Sequence, residues 1–440
     1  MNNKTHLTEP IELQEDDLKK EIGVWGLSAN IINVVVGAGI FVLPALVAQK
    51  MGSTSILAYL LCGGLIFLIM LCFAEVGSKI IKTGGAYTFI ETVFGKYAGF
   101  LSGNLLILAG IFSDAAVANA LVKILSSIFP ALMESWIRVL FLFVIFSSLT
   151  IFNVRGIKSG IGLVKFNTIA KLLPLLILIS FGWTEVSLIN LSWSTSPSFP
   201  QIGEAALILF FAFQGGDIGI SVTGEVANPK KTIPKAIVIS TIFIVSLYVL
   251  IQLICQGVLG NNTLSQSTAP LADTAQLIFG AFGFLLLTVG AAISMFGNLS
   301  GEVLNNPRIL YAFSRDKVIP TQAFSRIHPK FATPYISIII YASLGFLMAV
   351  VGGFEQLAVA SSLIVLLLYL GVVLALIKMR SIESLKQEGF TIKGGLAIPI
   401  LASLVIIYFL LQSSQNEVIG ALILFAIFTL IYYFTKILKK

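Results

Sequence analysis

Two stretches and two isolated side chains supply the groups in this sequence that suit binding of a small charged molecule. The first stretch is Asn33-Val-Val-Val-Gly37-Ala38-Gly39-Ile40-Phe41-Val-Leu-Pro44, half way along an apolar run. Two glycines around one alanine, with a proline five residues on, are poor material for a helix that only has to cross lipid. Two readings fit. Either the helix breaks here, freeing N–H groups and carbonyls and pointing a half-helix N-terminus at an anion, or the small residues form a close packing face. The second stretch, Phe210-Phe-Ala-Phe213-Gln214-Gly215-Gly216-Asp217-Ile-Gly219, is interrupted in the same way. The isolated side chains are Lys171, in Ile169-Ala-Lys171-Leu-Leu-Pro174, and Asp114. A lysine at the centre of a span costs about 2.5–3.5 kcal/mol on insertion scales, so Lys171 must be paired or face water. Asp114 and Asp217 are functional candidates on the same ground.

The elements that would hold these residues are membrane spans. The chain is 57% hydrophobic and 11% charged, with a mean hydropathy of +0.97, whereas a soluble domain carries about 25% charged residues. Apolar runs long enough to span the ~30 Å hydrocarbon layer fall at 22–48, 53–78, 98–121, 136–153, 161–183, 201–226, 234–257, 276–303, 333–352, 357–377, 395–412 and 417–435. The expectation is an all-α polytopic membrane protein of twelve transmembrane helices. Of the 28 Lys and Arg residues, all but Lys50, Lys123, Arg138 and the intramembrane Lys171 lie on one side if the N-terminus is inside. The positive-inside rule therefore places both termini in the cytosol of a plasma-membrane protein. It also accounts for the net charge of +7 with no nucleic-acid partner.

Several functions are excluded. Cys62, Cys72 and Cys255 form no framework, and His6 and His328 are isolated, so no metal or haem spacing exists. No GxxxxGK[ST] loop points to ATP. No nucleophile–base pair suggests an enzyme, and no cofactor is implied. No cleavable signal peptide is expected, because residues 1–21 are polar and acidic. The two interrupted runs lie five spans apart in opposite orientation, the pattern of an inverted-repeat transporter. This divides the chain into a cytosolic tail (1–21), a first repeat (22–184), a second repeat (200–378), two added helices (395–435) and a cytosolic tail (436–440).

The motifs resemble those of the amino acid–polyamine–organocation (APC) transporters. Gly37-Ala38-Gly39-Ile40-Phe41 resembles their GSGIF motif, and Phe210 to Asp217 their FFAFxGxE stretch. Glu225-Val-Ala-Asn228-Pro229 to Ile237, Arg308-Ile-Leu-Tyr311 to Pro320, and Ala74-Glu75-Val-Gly77 with Thr83-Gly84-Gly85-Ala-Tyr87 are similar to three further signatures. The likeness covers about residues 20 to 340 and weakens beyond. Ala38 replaces the usual serine, Gly216-Asp217 replaces a bulkier residue and Glu, and Gly224 stands where many members have Glu.

The resemblance implies a LeuT-type 5+5 inverted repeat with broken helices 1 and 6 and an α-amino acid or amine between them. Gly37, Ala38, Gly39 and Ile40 would present N–H groups to its carboxylate. Carbonyls of Val34, Val35, Val36 and of Phe210, Phe211, Ala212 and Phe213 would accept from its ammonium, with Phe210 or Phe211 as a gate. Gly215 and Gly216 would leave room beside the break. Lys171 resembles a span-five lysine whose ammonium replaces a sodium ion, bonded to span-one carbonyls and to Ser294 or Asn298; loss of its proton would couple transport to protons. Asp217 would sense protons or brace the inner half-helix. Asp114 would meet a cationic substrate, pair with Lys171 or sit in an outer vestibule. Glu75, Glu225 and Glu302 would pair with Arg155, Arg308 or Arg315 at the inner surface, and Lys165 would snorkel there. The expected function is sodium-independent, proton-linked uptake of a neutral amino acid. The alternatives are amino acid or amine exchange, cationic substrates included, and a non-transporting amino acid sensor. The glycines suit a bulky neutral side chain, the acids a cationic one. Oligomeric state is not legible.

Overall fold

A computed structural model of the chain describes residues 22–80, 85–156, 161–193, 196–219, 226–315, 321–382 and 389–438. It is built of helices, and each of the two interrupted stretches divides one. Helix α1 (Val24–Val35) ends where Val36 leaves helical geometry, and α2 (Gly39–Met51) resumes at an axis bent by 54°. The break follows from the residue types. Gly37 and Gly39 favour the coil entropically, and Pro44 inside α2 has no N–H to give the carbonyl of Ile40. Helix α3 (Ile56–Lys79), α4 (Ala86–Phe94), the 30-residue α5 (Lys96–Leu125), α6 (Ser135–Val154) and α7 (Ile161–Gly182) follow.

The second interruption opens on α8 (Phe199–Leu209), started by a capping box in which Ser198 and Gln201 satisfy each other's backbone. A 3₁₀ turn over Phe210–Phe213 and an extended Gln214 lead through Gly215, at φ +96°, into the short α9 (Gly216–Gly219). Such a φ suits glycine alone. The chain continues with α10 (Pro229–Gln266), α11 (Pro270–Asn305), α12 (Pro307–Arg315), α13 (Tyr335–Val351), α14 (Phe354–Met379), α15 (Ala397–Leu410) and α16 (Gln415–Leu438).

Among the described residues, eight helices are long and apolar enough to cross a membrane, and the bent α1–α2 pair makes nine. The twelve runs read from the sequence exceed this by three. Helices α13 and α15 have 17 and 14 residues, and the run expected at 201–226 is divided among α8, the turn and α9.

The two breaks touch. A Cβ on Gly39 would stand 2.7 Å from both Cα and Cβ of Ala212, so only glycine lets α2 reach the 3₁₀ turn. The α1–α2 pair is also tied at both ends. Ala227 donates its N–H to the Ile22 carbonyl at 3.0 Å, and at the far end Lys50 pairs with Glu355 of α14 at 3.2 Å. Helix α7 is fitted to α11 at Gly290, whose Cβ would meet the Ala170 carbonyl at 3.0 Å. That carbonyl has no i+4 donor, because position 174 is proline.

The expected pairing of Glu75 with Arg155, Arg308 or Arg315 is replaced by another. Glu75 is fully buried and binds Lys79 one turn on (2.8 Å), the guanidinium of Arg380 through both oxygens, and the Ile392 N–H (2.9 Å). One carboxylate thus fastens α3 to the end of α14 and to the segment leading into α15. Glu225, Gly224 and the Lys165 side chain lie outside the described residues. Removing one partner from a buried charge network costs about 3–5 kcal/mol. Glu75→Ala is therefore expected to lower the apparent Tm of the detergent-solubilised protein markedly, and Glu75→Gln by less.

Candidate functional site

A cavity of about 80 Å³ lies where the two breaks meet. Val34, Val35, Gly37, Ala38 and Gly39 line one side, and Phe211, Gln214, Gly215 and Asp217 the next. Ser113 of α5, Asn298 and Glu302 of α11, Asn306 just past α11, and Ser361 of α14 complete its polar wall. Among the described residues, the N–H groups of Gly37 and Ala38 make no backbone bond, and Gly39 and Ile40 open the first turn of α2, where N–H groups have no intrahelical partner. This is an electropositive helix end directed at the cavity.

Several carbonyls on the other side of the break have side-chain donors. Lys171 reaches across from α7 and donates to the Asn33 carbonyl at 2.8 Å and the Val36 carbonyl at 3.0 Å. Thr168, one turn earlier, donates to the Asn33 side-chain oxygen at 3.0 Å. The Tyr248 hydroxyl of α10 stands within reach of the Val35 carbonyl (3.2 Å) and the Ala212 carbonyl (3.0 Å), so it joins the two breaks with one group. Carbonyls stripped of helical partners inside an apolar core must find donors, and these side chains supply them. Of the carbonyls expected to meet a substrate ammonium, Val36 thus already accepts from Lys171, and Val35 and Ala212 share the single hydroxyl hydrogen of Tyr248.

Other expected residues separate as well. Val36 and Ile40 are buried and do not line the cavity. Of the three phenylalanines only Phe211 faces it, edge-on to Phe354 with centroids 5.7 Å apart. Phe210 packs on Tyr369 and Phe409, and Phe213 on Tyr248. The gate candidate is thus Phe211. The room expected at Gly215 and Gly216 is occupied: a Cβ on Gly216 would meet Met70 Sδ at 2.8 Å, and one on Gly215 the Val34 Cγ1 at 3.0 Å.

The polar partners differ from expectation too. Ser294 has no hydrogen-bond partner among the described residues, Lys171 included; Asn298 lines the cavity opposite Gly37. Asp114 is fully buried outside the cavity lining and accepts from Tyr341, which excludes both the Lys171 pair and an open vestibule. Asp217 does face the cavity and accepts from Tyr369 at 2.7 Å. Glu302, expected in an ion pair, instead accepts from Asn306 on the cavity wall. Sequence reasoning missed Gln214, although it adjoins the second break; its amide is held by Ser361 and Ser362 of α14. Ser361 and Tyr248 carry no local signal at all.

The arrangement is that of a membrane permease, with a small polar cavity between two broken helices. The family described as amino acid permeases matches residues 22–435, and the chain belongs to it, within the APC transporters. It is 31% identical to the serine/threonine exchanger SteT of Bacillus subtilis (strain 168), over 88% of this chain and 90% of that protein. It is 25% identical to the branched-chain amino acid permease BcaP of the same strain (95% and 93% covered). It is also 28% identical to the rat large neutral amino acids transporter small subunit 2, over 76% of this chain and 65% of that protein. The chain is thus an integral membrane transporter and not an enzyme.

Tyr248→Phe removes the donor shared by the two breaks and leaves a buried carbonyl unpaired, at a cost of about 1–3 kcal/mol. The expected result is a lower apparent Tm and weaker protection of the folded protein by substrate, read by thermal shift of the purified protein.

Proposed function

We propose that the protein is a sodium-independent secondary transporter of small neutral amino acids that works by alternating access and is linked to protons. The observation that carries this reading is the Lys171 ammonium, bonded to the Asn33 and Val36 carbonyls at the edge of the break that lines the cavity. A positive charge there occupies the place a sodium ion would need, between carbonyls already oriented for a cation.

In this reading the substrate carboxylate meets the N–H groups of Gly37, Ala38 and Gly39, and its ammonium the carbonyls near Val34 and Phe211. Side-chain contact falls to the polar wall of Gln214, Asn298 and Ser361. The cavity volume of about 80 Å³ and the filling of the glycine space by Met70 favour a small side chain over the bulky neutral alternative that the glycines suggested. The serine/threonine exchanger among the relatives agrees with that size. Phe211 would close over the substrate, and Asp217 would respond to protons beside it.

The proposed architecture is twelve spans: the nine long ones, α13, α15, and α8 with the turn and α9 as a broken sixth. Residues 22–184 and 200–378 would be the inverted repeats, 395–435 the added helices, and the tails 1–21 and 436–440 cytosolic in a plasma-membrane protein, as the Lys and Arg distribution supports.

One observation favours a second reading. The relative at 31% identity is an exchanger, so obligatory amino acid exchange competes with proton-linked uptake.

Uptake of a radiolabelled amino acid panel into proteoliposomes separates the two. Accumulation of serine, threonine or alanine driven by an inward proton gradient, and abolished by Lys171→Ala, is the expected outcome. Uptake only into amino-acid-loaded vesicles would establish exchange and make Lys171 a structural cation. Binding without uptake in either format would leave only a sensor.

A further inference from the structure

Behind the polar wall, four side chains from three regions form a chain that the proposed transport cycle does not use. Asn306, just past α11, donates through Nδ2 to Glu302 Oε2 at 2.6 Å and to the Tyr341 hydroxyl at 2.8 Å. Tyr341, on α13, donates in turn to Asp114 Oδ2 of α5 at 2.9 Å. Helix α5 is shaped around this chain: a Cβ on Gly110 would fall 2.4 Å from Asn306 Nδ2 and 2.7 Å from the Tyr341 hydroxyl. Glu302 and Asn306 face the cavity, whereas Asp114 and Tyr341 are sealed at 0% and 1% exposure.

The donor count does not close. Asn306 has two amide hydrogens and Tyr341 one, and all are directed within the chain. Two carboxyl oxygens remain. Asp114 Oδ1 is buried with no partner, and no protein donor reaches Glu302 Oε1 among the described residues. Charge does not close either. Lys171 of α7 is committed to the α1 carbonyls, and Arg308 of α12 turns back to the Leu304 carbonyl. Facing the cluster from α9 and α14 are Asp217 and Tyr369, already bonded to each other, and neither brings positive charge. Two charged carboxylates joined by neutral side chains with no cation beside them, one of them sealed in the core, are disfavoured, and the charge of one keeps the other neutral.

The geometry points to one proton on this acid pair, carried by Glu302, which takes it up from cavity water and is kept neutral by the Asp114 carboxylate that Tyr341 holds in the sealed interior. This is a protonation site separate from Lys171. It rests on the proposed transport reading for its use in coupling, but not for its existence.

Infrared spectroscopy of the purified protein in lipid nanodiscs tests it directly, because a neutral carboxylic acid has a carbonyl stretch distinct from that of a carboxylate. The wild type at neutral pH is expected to show this band and to lose it on alkaline titration. Asp114→Asn and Glu302→Gln should each abolish or shift it. Tyr341→Phe, a near-isosteric change, should shift it, and Asp217→Asn should leave it unchanged. A wild type without the band, a band indifferent to both Asp114→Asn and Glu302→Gln, or a band removed by Asp217→Asn would overturn the proposal. The band without uptake in proteoliposomes would keep this site and remove the transport reading. Proton-driven uptake without the band would do the reverse.

Discussion

Broken helices in a membrane expose peptide groups that lipid cannot satisfy, and the structure depends on how those groups are paired. At the first break the answer is an ammonium on α7 that bonds two carbonyls of α1. At the junction of both breaks it is one tyrosine hydroxyl on α10. These donors take up several carbonyls of the interruption and leave its N–H side facing the cavity. The polarity of the site follows from that asymmetry: an electropositive helix end remains open for an anionic group.

The same constraint explains why so many small residues are clustered at the centre of the molecule. Gly39 lies against Ala212 at a distance that excludes any side chain. Gly215 takes a backbone conformation that suits glycine, and Gly110 admits an asparagine and a tyrosine. Each glycine gives close approach at one point, and each space is filled by a named neighbour. The glycines beside the second break therefore do not enlarge the cavity, since Met70 and Val34 pack into the space they leave.

Charge is distributed by the same logic. Glu75 gathers Lys79, Arg380 and a backbone N–H, and so joins three segments at one end of the bundle. In the centre, by contrast, acidic side chains accept from hydroxyl and amide groups: Asp217 from Tyr369, Asp114 from Tyr341 and Glu302 from Asn306. Neutral donors hold these acids in place without fixing their charge, which suits a site that must change state during a transport cycle.

The sequence by itself determined the membrane class, both interruptions, the intramembrane lysine and the family, because each is written in local composition or in a contiguous motif. Gly37-Ala38-Gly39 and Gly215-Gly216-Asp217 are legible as breaks since glycine and proline act on their own backbone. The tertiary structure alone decided which groups meet. Nothing local tells that Tyr248 bridges Val35 and Ala212, that Phe211 rather than Phe210 faces the cavity, or that Glu75 binds Arg380, 305 positions away. Asp114 and Glu302 read as separate acids along the chain, and only the packing of α5, α11 and α13 places Tyr341 and Asn306 between them. Pairing across helices depends on rotation and depth in the bundle, which the whole core fixes, whereas a break depends on the few residues that form it.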